Sequence, residues 1–270
     1  MPRILLTGAG GGIGTRLRQM LPAIYPKLRL SDLVAPPDLG GNEHFMAADL
    51  ADAAQTDAIC KDIDGIIHLG GYSVEGPWQP ILQSNIIGAH NLFESARRQG
   101  VNRVIFASSN HAVGFYPRHH RIGNDVQPRP DGRYGVSKVF GEALGSLYAD
   151  KYGLKVTCLR IGNFGDQPID QRRLSIWLHP DDLVQLIRIG LEHPAIHFEV
   201  LYGASNNERS WWDNHRAHDL GYRPQHRAED YRDHALAEQV KLPADQVADF
   251  YQGGSFCAME YAGDGSRIWS

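Results

Sequence analysis

Short runs rich in Ile, Leu and Val alternate with longer segments of mixed polarity through the first two thirds of the 270-residue chain. Because buried parallel strands are short and almost continuously hydrophobic, these runs predict β-strands. The predicted strands are residues 3–6, 28–33, 44–48, 65–69, 103–107, 155–159 and 197–202. The segments between them carry apolar residues three and four positions apart, which is typical of amphipathic helices. The predicted helices are residues 13–20, 53–61, 81–98, 134–152 and 181–192.

Alternating strands and helices predict an α/β fold, specifically a Rossmann-type doubly wound parallel sheet. Right-handed crossovers then bring the loops that follow the strands to one edge of the sheet, where ligands bind in such folds. No Gly- or Ser-rich linker and no internal repeat interrupts the sequence, so we predict a single domain over residues 1–270. The pattern becomes irregular after about residue 204, where we predict a small C-terminal region that covers the substrate.

Composition argues against several classes of partner. The net charge is −4 and no run of Lys or Arg forms a basic stripe, so nucleic acid is not an expected partner. No stretch approaches 18 apolar residues and the N-terminus passes directly into a strand, so neither a membrane span nor an export signal is predicted. The three cysteines lie far apart and, like the 13 scattered histidines, lack metal-ligand spacing. We therefore expect reduced thiols, a cytoplasmic location and no metal.

A glycine-rich turn follows the first predicted strand and opens the first predicted helix. Gly8, Gly11 and Gly14 are spaced as G-x-x-G-x-x-G, and Gly12 and Ile13 lie within the same turn. Glycine permits a tight turn, lets the backbone approach a pyrophosphate and points the N-terminal amides of the helix at its charge. A merely flexible turn is the alternative, but the position directly after the first strand favours a dinucleotide-binding loop.

Asp32 lies 18 residues beyond Gly14, at the end of the second predicted strand. Its carboxylate can accept hydrogen bonds from the adenosine ribose and would repel a 2′-phosphate, although an Asp there can also be only a turn former. Residues 33–37 contain no Lys or Arg, so NAD is favoured over NADP. Further predicted cofactor contacts follow the third and fourth strands: Asp49, Leu50, Leu69, Gly70 and Gly71. Asp49 or Asp52 can instead cap the next helix. Residues 1–160 are thus predicted to form mainly the NAD-binding core, and residues 161–270 mainly the substrate-binding segments and the tail.

Tyr134 and Lys138 are four residues apart on one predicted helix, so both side chains lie on the same face. A lysine ammonium beside a phenol favours the phenolate and so lowers the pKa of the tyrosine toward the range of a general base. The same ammonium can hold the cofactor ribose. An ordinary Tyr/Lys pair on an amphipathic helix is the alternative, and the glycine loop upstream favours the catalytic interpretation.

The segment that ends the fifth predicted strand carries short polar side chains to the ligand edge. Ser109 can donate a hydrogen bond to a substrate oxygen and help to place Tyr134. Asn110 and His111 can contact substrate hydroxyl groups. A polar turn without a further role is the alternative.

The glycine loop and the Ser, Tyr and Lys residues together resemble the extended short-chain dehydrogenase/reductase superfamily over roughly residues 1–205. Six strings, spread over nearly the whole chain, resemble more specifically the uronate dehydrogenase family. They are HLGGYSVE at 68–75, SSNH at 108–111, GFYP at 114–117, RPDG at 129–132, WWDN at 211–214 and YQGGSF at 251–256.

This resemblance implies oxidation of the C1 hydroxyl of a hexuronate, D-glucuronate or D-galacturonate, to an aldarolactone with hydride transfer to NAD+. It implies Tyr134 as the base, supported by Lys138 and Ser109. The residues that would face the sugar are Ser73, Ser109, Asn110, His111, Tyr134 and Arg172. Arg172 would grip the carboxylate, which a planar guanidinium binds with two hydrogen bonds, and the adjacent Arg173 is a competitor for that role.

The chain departs from the family pattern at Asn163, which stands where the family has a serine after Arg-Ile-Gly. An amide can still hydrogen-bond to substrate or nicotinamide, so we count Asn163 among the substrate-binding residues. Gly12 likewise replaces a larger polar residue of the family.

Two other functions fit the same scaffold. A nucleotide-sugar epimerase or dehydratase would retain NAD through an internal cycle, but such enzymes usually need a larger C-terminal domain, and dehydratases carry an acid where this chain has Asn110. A non-enzymatic NAD-sensing regulator would have no need of the base Tyr134. By analogy with the superfamily, in which helices such as 81–98 and 134–152 pair subunits, we also predict a homo-oligomer.

Overall fold

The computed structural model describes residues 1–264. Its strands are β1 (Arg3–Thr7), β2 (Lys27–Asp32), β3 (His44–Ala47), β4 (Gly65–His68), β5 (Arg103–Ser109), β6 (Lys155–Ile161), β7 (Asn163–Phe164), β8 (Trp177–Leu178) and β9 (Phe198–Gly203). Seven of them form a sheet in the order β3-β2-β1-β4-β5-β6-β9, and each neighbouring pair is parallel. A separate parallel pair joins β7 to β8. The predicted doubly wound parallel sheet is therefore confirmed.

Helices cover both faces of this sheet. They are α1 (Gly12–Met20), α2 (Ala53–Cys60), α3 (Trp78–Ile81), α4 (Gly88–Arg98), α5 (Arg133–Tyr152), α6 (Arg173–Ile176), α7 (Pro180–Glu192), α8 (His215–Asp219), α9 (Arg232–Gln239), α10 (Gln246–Phe250) and α11 (Ser255–Ala258). Among residues 1–264, none of these helices has the length and apolar composition needed to cross a bilayer. Residues 265–270, the end of the predicted tail, lie outside the described residues.

The helix predicted over residues 81–98 begins earlier and is irregular. It starts with α3, passes through a π-helical turn at Leu82–Ile87 and continues as α4. Asn85 is buried in that turn, where it bonds to the backbone N–H and C=O of Tyr72 at 2.7 and 2.9 Å and to the Ser137 hydroxyl at 2.9 Å. Hydrophobic spacing does not distinguish this turn from a regular helix, and such turns are frequent at functional sites.

Two strands extend two residues beyond their predicted ends. β5 reaches Ser109 and β6 reaches Ile161, with the two strands paired along their full length. Among the residues beyond the predicted strand ends, Ser108 and Arg160 donate hydrogen bonds to the carboxylate of Glu142 at 2.6 and 2.9 Å. A paired and hydrogen-bonded charge can be buried in a sheet, which a hydrophobic pattern does not show. The extension carries Ser109 to the ligand edge.

Alternate residues of each strand face different helical layers. Along β1, Ile4 and Leu6 belong to the apolar cluster that α1 and α7 cover, whereas Leu5 belongs to the cluster that α2, α4 and α5 cover. Burial on both faces explains why the strands are nearly continuous hydrophobic runs. Successive strands are added on one side of β1 up to β3 and on its other side from β4 onward. Ligands bind at the carboxyl edge of such sheets, at the point where this order reverses, which here lies between β1 and β4.

Candidate active site

A cavity of about 930 Å³ opens at the carboxyl edge of the sheet. Its size is that of a cofactor or small-molecule site. Its wall contains all the residues predicted to contact the cofactor: Gly8, Gly11, Gly12, Ile13, Gly14, Asp32, Asp49, Leu50, Leu69, Gly70, Gly71 and Lys138. It also contains five of the predicted substrate residues: Ser73, Ser109, Asn110, His111 and Tyr134. The structure thus brings all the predicted cofactor residues and these five substrate residues together in one cavity.

The turn between β1 and α1 requires glycine at two positions. Gly8 has a φ of +71°, in the left-handed region, and a Cβ there would lie 2.8 Å from the backbone nitrogen of Gly70. A Cβ on Gly14 would lie 2.8 Å from the Cα of Ala9. The N-cap of α1 is Gly11, so no side chain occupies the first amides of the helix. A phosphate group can therefore approach those amides closely.

Asp32 is held beside this turn. Its carboxylate accepts hydrogen bonds from the backbone N–H of Gly10 at 2.9 Å and of Leu33 at 2.8 Å. Residues 33–37 continue the cavity wall and include no basic side chain. A ribose 2′-phosphate would meet a carboxylate here without a compensating cation, which favours NAD over NADP.

Asp49 lines the cavity but does not begin the next helix. Its side chain accepts a hydrogen bond from the N–H of Ala51 at 2.9 Å, whereas Asp52 is the N-cap of α2 and accepts from Ala54 and Gln55. Of the two residues considered as the cap, Asp52 takes that position and Asp49 does not. The carboxylate keeps its position at the edge of the cavity.

Tyr134, Lys138 and Ser109 are buried side chains in one part of the cavity wall. The Lys138 ammonium lies 5.3 Å from the centre of the Tyr134 ring and donates a hydrogen bond to the carbonyl oxygen of Ala107 at 2.8 Å. The Ser109 hydroxyl is close enough to the Tyr134 phenol to act on its pKa, and it favours the phenolate. A substrate hydroxyl that approaches the phenol would therefore also meet the serine.

The predicted lowering of the tyrosine pKa is not found. Burial raises the pKa of Tyr134 to about 12, although the Ser109 hydroxyl acts in the opposite direction. Burial also lowers the pKa of Lys138 to about 8. Desolvation disfavours the charged form of both groups, and the four-residue spacing contains no information about it. Formation of the phenolate therefore depends on positive charge beyond that of an isolated Tyr/Lys pair.

Glu75 anchors the start of α5 and was not predicted to have a role. The N-cap position is Gly132, which has no side chain, and the Glu75 carboxylate instead accepts from the Tyr134 N–H at 2.9 Å. Arg133 contacts its second oxygen at 3.4 Å. A carboxylate at a helix N-terminus is favoured by the helix dipole. Glu75 thus fixes the backbone of the tyrosine from the loop after β4.

His111 is held between two residues that sequence reasoning missed. Its Nδ1 lies 2.6 Å from Oδ2 of the buried Asp131, and its ring stacks on Phe256 with centroids 3.9 Å apart. The edge of the same imidazole meets Tyr134 at 5.8 Å. Both partners lie in strings that carry the family resemblance, at 129–132 and 251–256, which was their only signal in the sequence. Asp131 can fix the ring and its tautomer so that Nε2 faces a substrate.

Arg172 and Asn163 lie outside the wall of the large cavity. Arg172 lines an adjacent cavity of about 330 Å³, where its Nε donates to the carbonyl oxygen of Gln252 at 2.9 Å. With the Asn110 amide oriented to satisfy its neighbours, Arg172 Nη2 donates to the Asn110 oxygen at 3.1 Å. Arg173 instead forms an ion pair with Asp170. Of the two competitors, Arg172 is therefore the one that reaches the active site, through Asn110.

The fold and the cavity can be compared with known proteins. The model of the NAD dependent epimerase/dehydratase family matches residues 4–175. The chain belongs to this family. Uronate dehydrogenase of Pseudomonas putida is 45% identical over 256 residues, which cover 94% of this chain and 95% of that protein.

Two solved structures are also similar to this chain over almost their full length. A mutant of uronate dehydrogenase from Agrobacterium tumefaciens, complexed with NAD, has a TM-score of 0.91 at 44% identity and covers 96% of this chain and 97% of its own. Glucuronic acid dehydrogenase from Chromohalobacter salexigens has a TM-score of 0.91 at 45% identity, with the same coverage of the two chains. The similarity therefore includes the C-terminal third that the family model does not match.

One group of side chains away from both cavities has the residue types of a metal site. His179, Asp181 and His226 offer ligand atoms within 4.8 Å of one another near the N-terminus of α7. The two imidazoles stack with centroids 3.4 Å apart, and His226 already bonds to Asp181 at 3.1 Å. None of the three lines the cavity that holds Tyr134. The expectation that the reaction of this family member needs no metal remains a prediction.

Proposed function

We propose that this chain oxidises the C1 hydroxyl of a hexuronate, D-glucuronate or D-galacturonate, to an aldarolactone and passes the hydride to NAD+. The observation that carries the proposal is the convergence of Ser109 and Tyr134 in the large cavity, with Arg172 joined to its wall through Asn110. This arrangement offers a base for a hydroxyl group and a cation for an anionic group in one substrate. The similarity to uronate dehydrogenases over nearly the full chain supports the same reaction.

The residues around the glycine turn fit a dinucleotide. Gly8 and Gly14 leave space that a Cβ would fill, so a diphosphate can lie against the start of α1. Asp32 would accept hydrogen bonds from the adenosine ribose, while Asp49 and Leu50 would lie along the adenine. Leu69, Gly70 and Gly71 would back the second ribose, whose hydroxyls Lys138 would bind. NAD+, when bound, supplies the hydride acceptor.

The protein's own contribution to the chemistry is proton transfer and orientation. Tyr134 as phenolate would accept the proton of the C1 hydroxyl, and Ser109 would align that oxygen by a hydrogen bond. Lys138 as ammonium favours the phenolate, which burial alone opposes. Positive charge on an oxidised nicotinamide acts in the same direction. The base would thus be generated only in the fully assembled complex.

The remaining polar residues would hold the sugar. Ser73, Asn110 and His111 would contact its hydroxyls, and Arg172 would bind the carboxylate with its free Nη1 edge. The amide of Asn163, on β7, would hydrogen-bond to the substrate or to the nicotinamide. Fixing the distant carboxylate orients C1 toward the base, and such positioning is a large part of catalysis in general.

We further propose a cytoplasmic homo-oligomer. The three cysteines are unpaired and buried, as is usual in a reducing compartment. Val136, Leu147 and Tyr152 of α5 are each 45% or more exposed, and apolar side chains on a long outer helix favour contact with a second subunit.

NADH formation with free sugars tests the proposed reaction. Absorbance at the NADH band should rise with D-glucuronate or D-galacturonate and stay near baseline with D-glucose, which lacks the carboxylate. Tyr134→Phe should retain NADH binding and lose turnover, because the phenyl ring keeps the shape of the side chain but has no proton acceptor. A variant that keeps most of its rate would contradict the role of Tyr134 as base.

The same assay separates the two alternatives. A nucleotide-sugar epimerase or dehydratase would convert a UDP-sugar without net NADH formation. A non-enzymatic NAD sensor would bind NAD tightly and turn over none of a panel of uronates and aldoses. Either result would exclude the proposed dehydrogenase.

A further inference from the structure

The cavity next to the active site has a strongly cationic wall. Arg118, Arg172 and Arg209 line it together with one carboxylate, that of Asp249. Asp249 lies 3.8 Å from Arg118 Nη1 and Glu229 pairs with Arg209 at 2.9 Å, so Arg172 is the guanidinium of this wall whose charge no such pair offsets within residues 1–264. The remaining lining residues are the polar or aromatic side chains of Gln171, Ser175 and Trp211. The wall is therefore built for an anion.

The guanidinium groups retain donors for such an anion. Arg172 uses Nε and Nη2 for Gln252 and Asn110, and no hydrogen bond to residues 1–264 engages its Nη1. Arg209 pairs through Nε with Glu229 at 2.9 Å, and neither of its Nη atoms bonds within the same residues. Arg118 donates hydrogen bonds to the carbonyl oxygens of Ala248 and Tyr251 through Nη2 and Nε. Its Nη1 lies 3.8 Å from the Asp249 carboxylate.

This supply exceeds what one carboxylate needs. A carboxylate carries one charge and is satisfied by a single bidentate guanidinium, which Arg172 can provide. A phosphate monoester carries about −1.5 to −2 charges at pH 7 and offers three strong acceptor oxygens. The unused N–H groups of the three guanidinium groups, together with the Ser175 hydroxyl, provide enough donors for all three oxygens. A volume of about 330 Å³ also leaves space for the larger group.

The cavity is linked to the active site through one hydrogen bond of Arg172. Its Arg172 bonds to Asn110, whose side chain lines the large cavity beside Tyr134 and Ser109. In a hexopyranose, C1 and the substituent at C6 project from the two carbons that flank the ring oxygen, so both ends can be held at once. A substrate with C1 at the phenol would direct its C6 anion toward Arg172 and the wall beyond it.

We propose that this cavity, walled by Arg118, Arg172 and Arg209, binds a C6 phosphate as well as a C6 carboxylate, so that hexose 6-phosphates are a second substrate class. The inference rests on the proposed function, since the C1 chemistry is the same. The C1–H bond breaks with its electron pair reducing NAD+, the hydroxyl proton passes to Tyr134, and a C1=O bond forms to give the 6-phospholactone. The phosphoryl group is unchanged.

The decisive test compares D-glucose 6-phosphate, D-glucuronate and D-glucose in the NADH assay. We expect D-glucose 6-phosphate to be oxidised with a kcat/KM at least about tenfold above that of D-glucose, because D-glucose cannot form the charge-assisted hydrogen bonds that the anion makes with the arginines. Inorganic phosphate should inhibit competitively with D-glucuronate. It should not compete with NAD+, whose diphosphate would lie on the separate glycine turn.

Variants of Arg209 assign the effect to this cavity. Arg209→Met should raise the KM for D-glucose 6-phosphate about tenfold and that for D-glucuronate less, and Arg209→Lys should restore part of the loss. Arg227→Met is the matched control, because Arg227 pairs with Glu208 on the same two chain segments but lines neither cavity. Arg118 is a poorer target, since it also holds the backbone near α10.

Three results would overturn the inference. Oxidation of D-glucose 6-phosphate no better than that of D-glucose, while D-glucuronate is oxidised, rejects the phosphate site and leaves the proposed function standing. Phosphate inhibition that is competitive with NAD+ instead assigns the anion to the glycine turn. Equal KM changes for both substrates in Arg209→Met reject the specific role of this arginine. Failure of the wild-type protein to oxidise any uronate would instead reject the proposed function itself.

Discussion

The substitution Asp131→Asn separates two contributions of Asp131 to holding His111: the charge of its carboxylate and the shape of its side chain. The Asp131 carboxylate is buried and lies 2.6 Å from His111 Nδ1, while its other oxygen has no hydrogen-bond partner within residues 1–264. Burial raises the pKa of Tyr134 and the negative charge of Asp131 adds to that rise, whereas burial lowers the pKa of Arg172 and the same charge opposes that change. Asparagine is nearly isosteric, and its amide oxygen can still accept a hydrogen bond from the His111 Nδ1–H. The substitution therefore removes the charge and keeps the contact.

We expect two effects: a lower kcat/KM and a shift of the pH profile to lower pH. A hydrogen bond to a charged group contributes about 1.5–3 kcal/mol and a neutral one about 0.5–1.5 kcal/mol, so the variant should hold His111 less firmly by about 1–1.5 kcal/mol. That corresponds to a loss of about five- to tenfold in kcat/KM for the uronate. Removal of the negative charge should also lower the pKa of the Tyr134 phenol. The rise of rate with pH should then occur at lower pH than in the wild type.

The assay is the pH profile of kcat/KM for D-glucuronate, with the KM for NAD+ measured in parallel. Asp150→Asn is the matched control, because Asp150 pairs with His197 at 2.9 Å on the surface and should change neither quantity. A merely structural role of Asp131 would lower the rate at all pH values without moving the profile. An unmoved profile, or a KM for NAD+ raised as much as that for the uronate, would refute the positioning argument.

Three further changes test other parts of the site. Glu75→Gln should lower the free energy of unfolding by about 1 kcal/mol, measured by urea denaturation, because it removes the carboxylate at the start of α5; unchanged stability would contradict the capping role. Gly14→Ala should weaken NADH binding at least about tenfold in a fluorescence titration, since a Cβ would collide with Ala9 and displace the turn; Gly41→Ala is the control, because a Cβ there has open space and Gly41 does not line the cavity. Lys138→Met should move the pH profile of kcat/KM to higher pH because the phenolate loses its cation, and a shift to lower pH would reject that electrostatic role.

The cofactor half of the site could be predicted because it follows from local rules. The glycine spacing after the first strand and the carboxylate at the end of the second depend on backbone geometry within a few residues, and all twelve predicted cofactor residues line one cavity. Tyr134 and Lys138 likewise follow from helical periodicity. What these rules omit is burial, and burial reverses the predicted direction of the tyrosine pKa.

The substrate half could be predicted less well because it depends on contacts between distant parts of the chain. Glu75 bonds to Tyr134, 59 positions away, and Gln252 bonds to Arg172, 80 positions away. No spacing rule connects such pairs. Phe256 reaches His111 only because α10 and α11 fold back over the carboxyl edge, so its function was visible in the sequence only as part of a family string.

This division between the two halves has a consequence for specificity. The first 160 residues contain the glycine turn, Asp32 and the proposed base Tyr134. These parts require only the carboxyl edge of the sheet and α5. The surroundings of the far end of the sugar come from the later chain, through Arg172, Arg209 and the backbone at Gln252. Changes in these later segments can therefore alter the anion that is recognised while the C1 chemistry is retained. If the proposals above hold, the cationic cavity next to Asn110, rather than Tyr134, is the part of the molecule that selects the substrate.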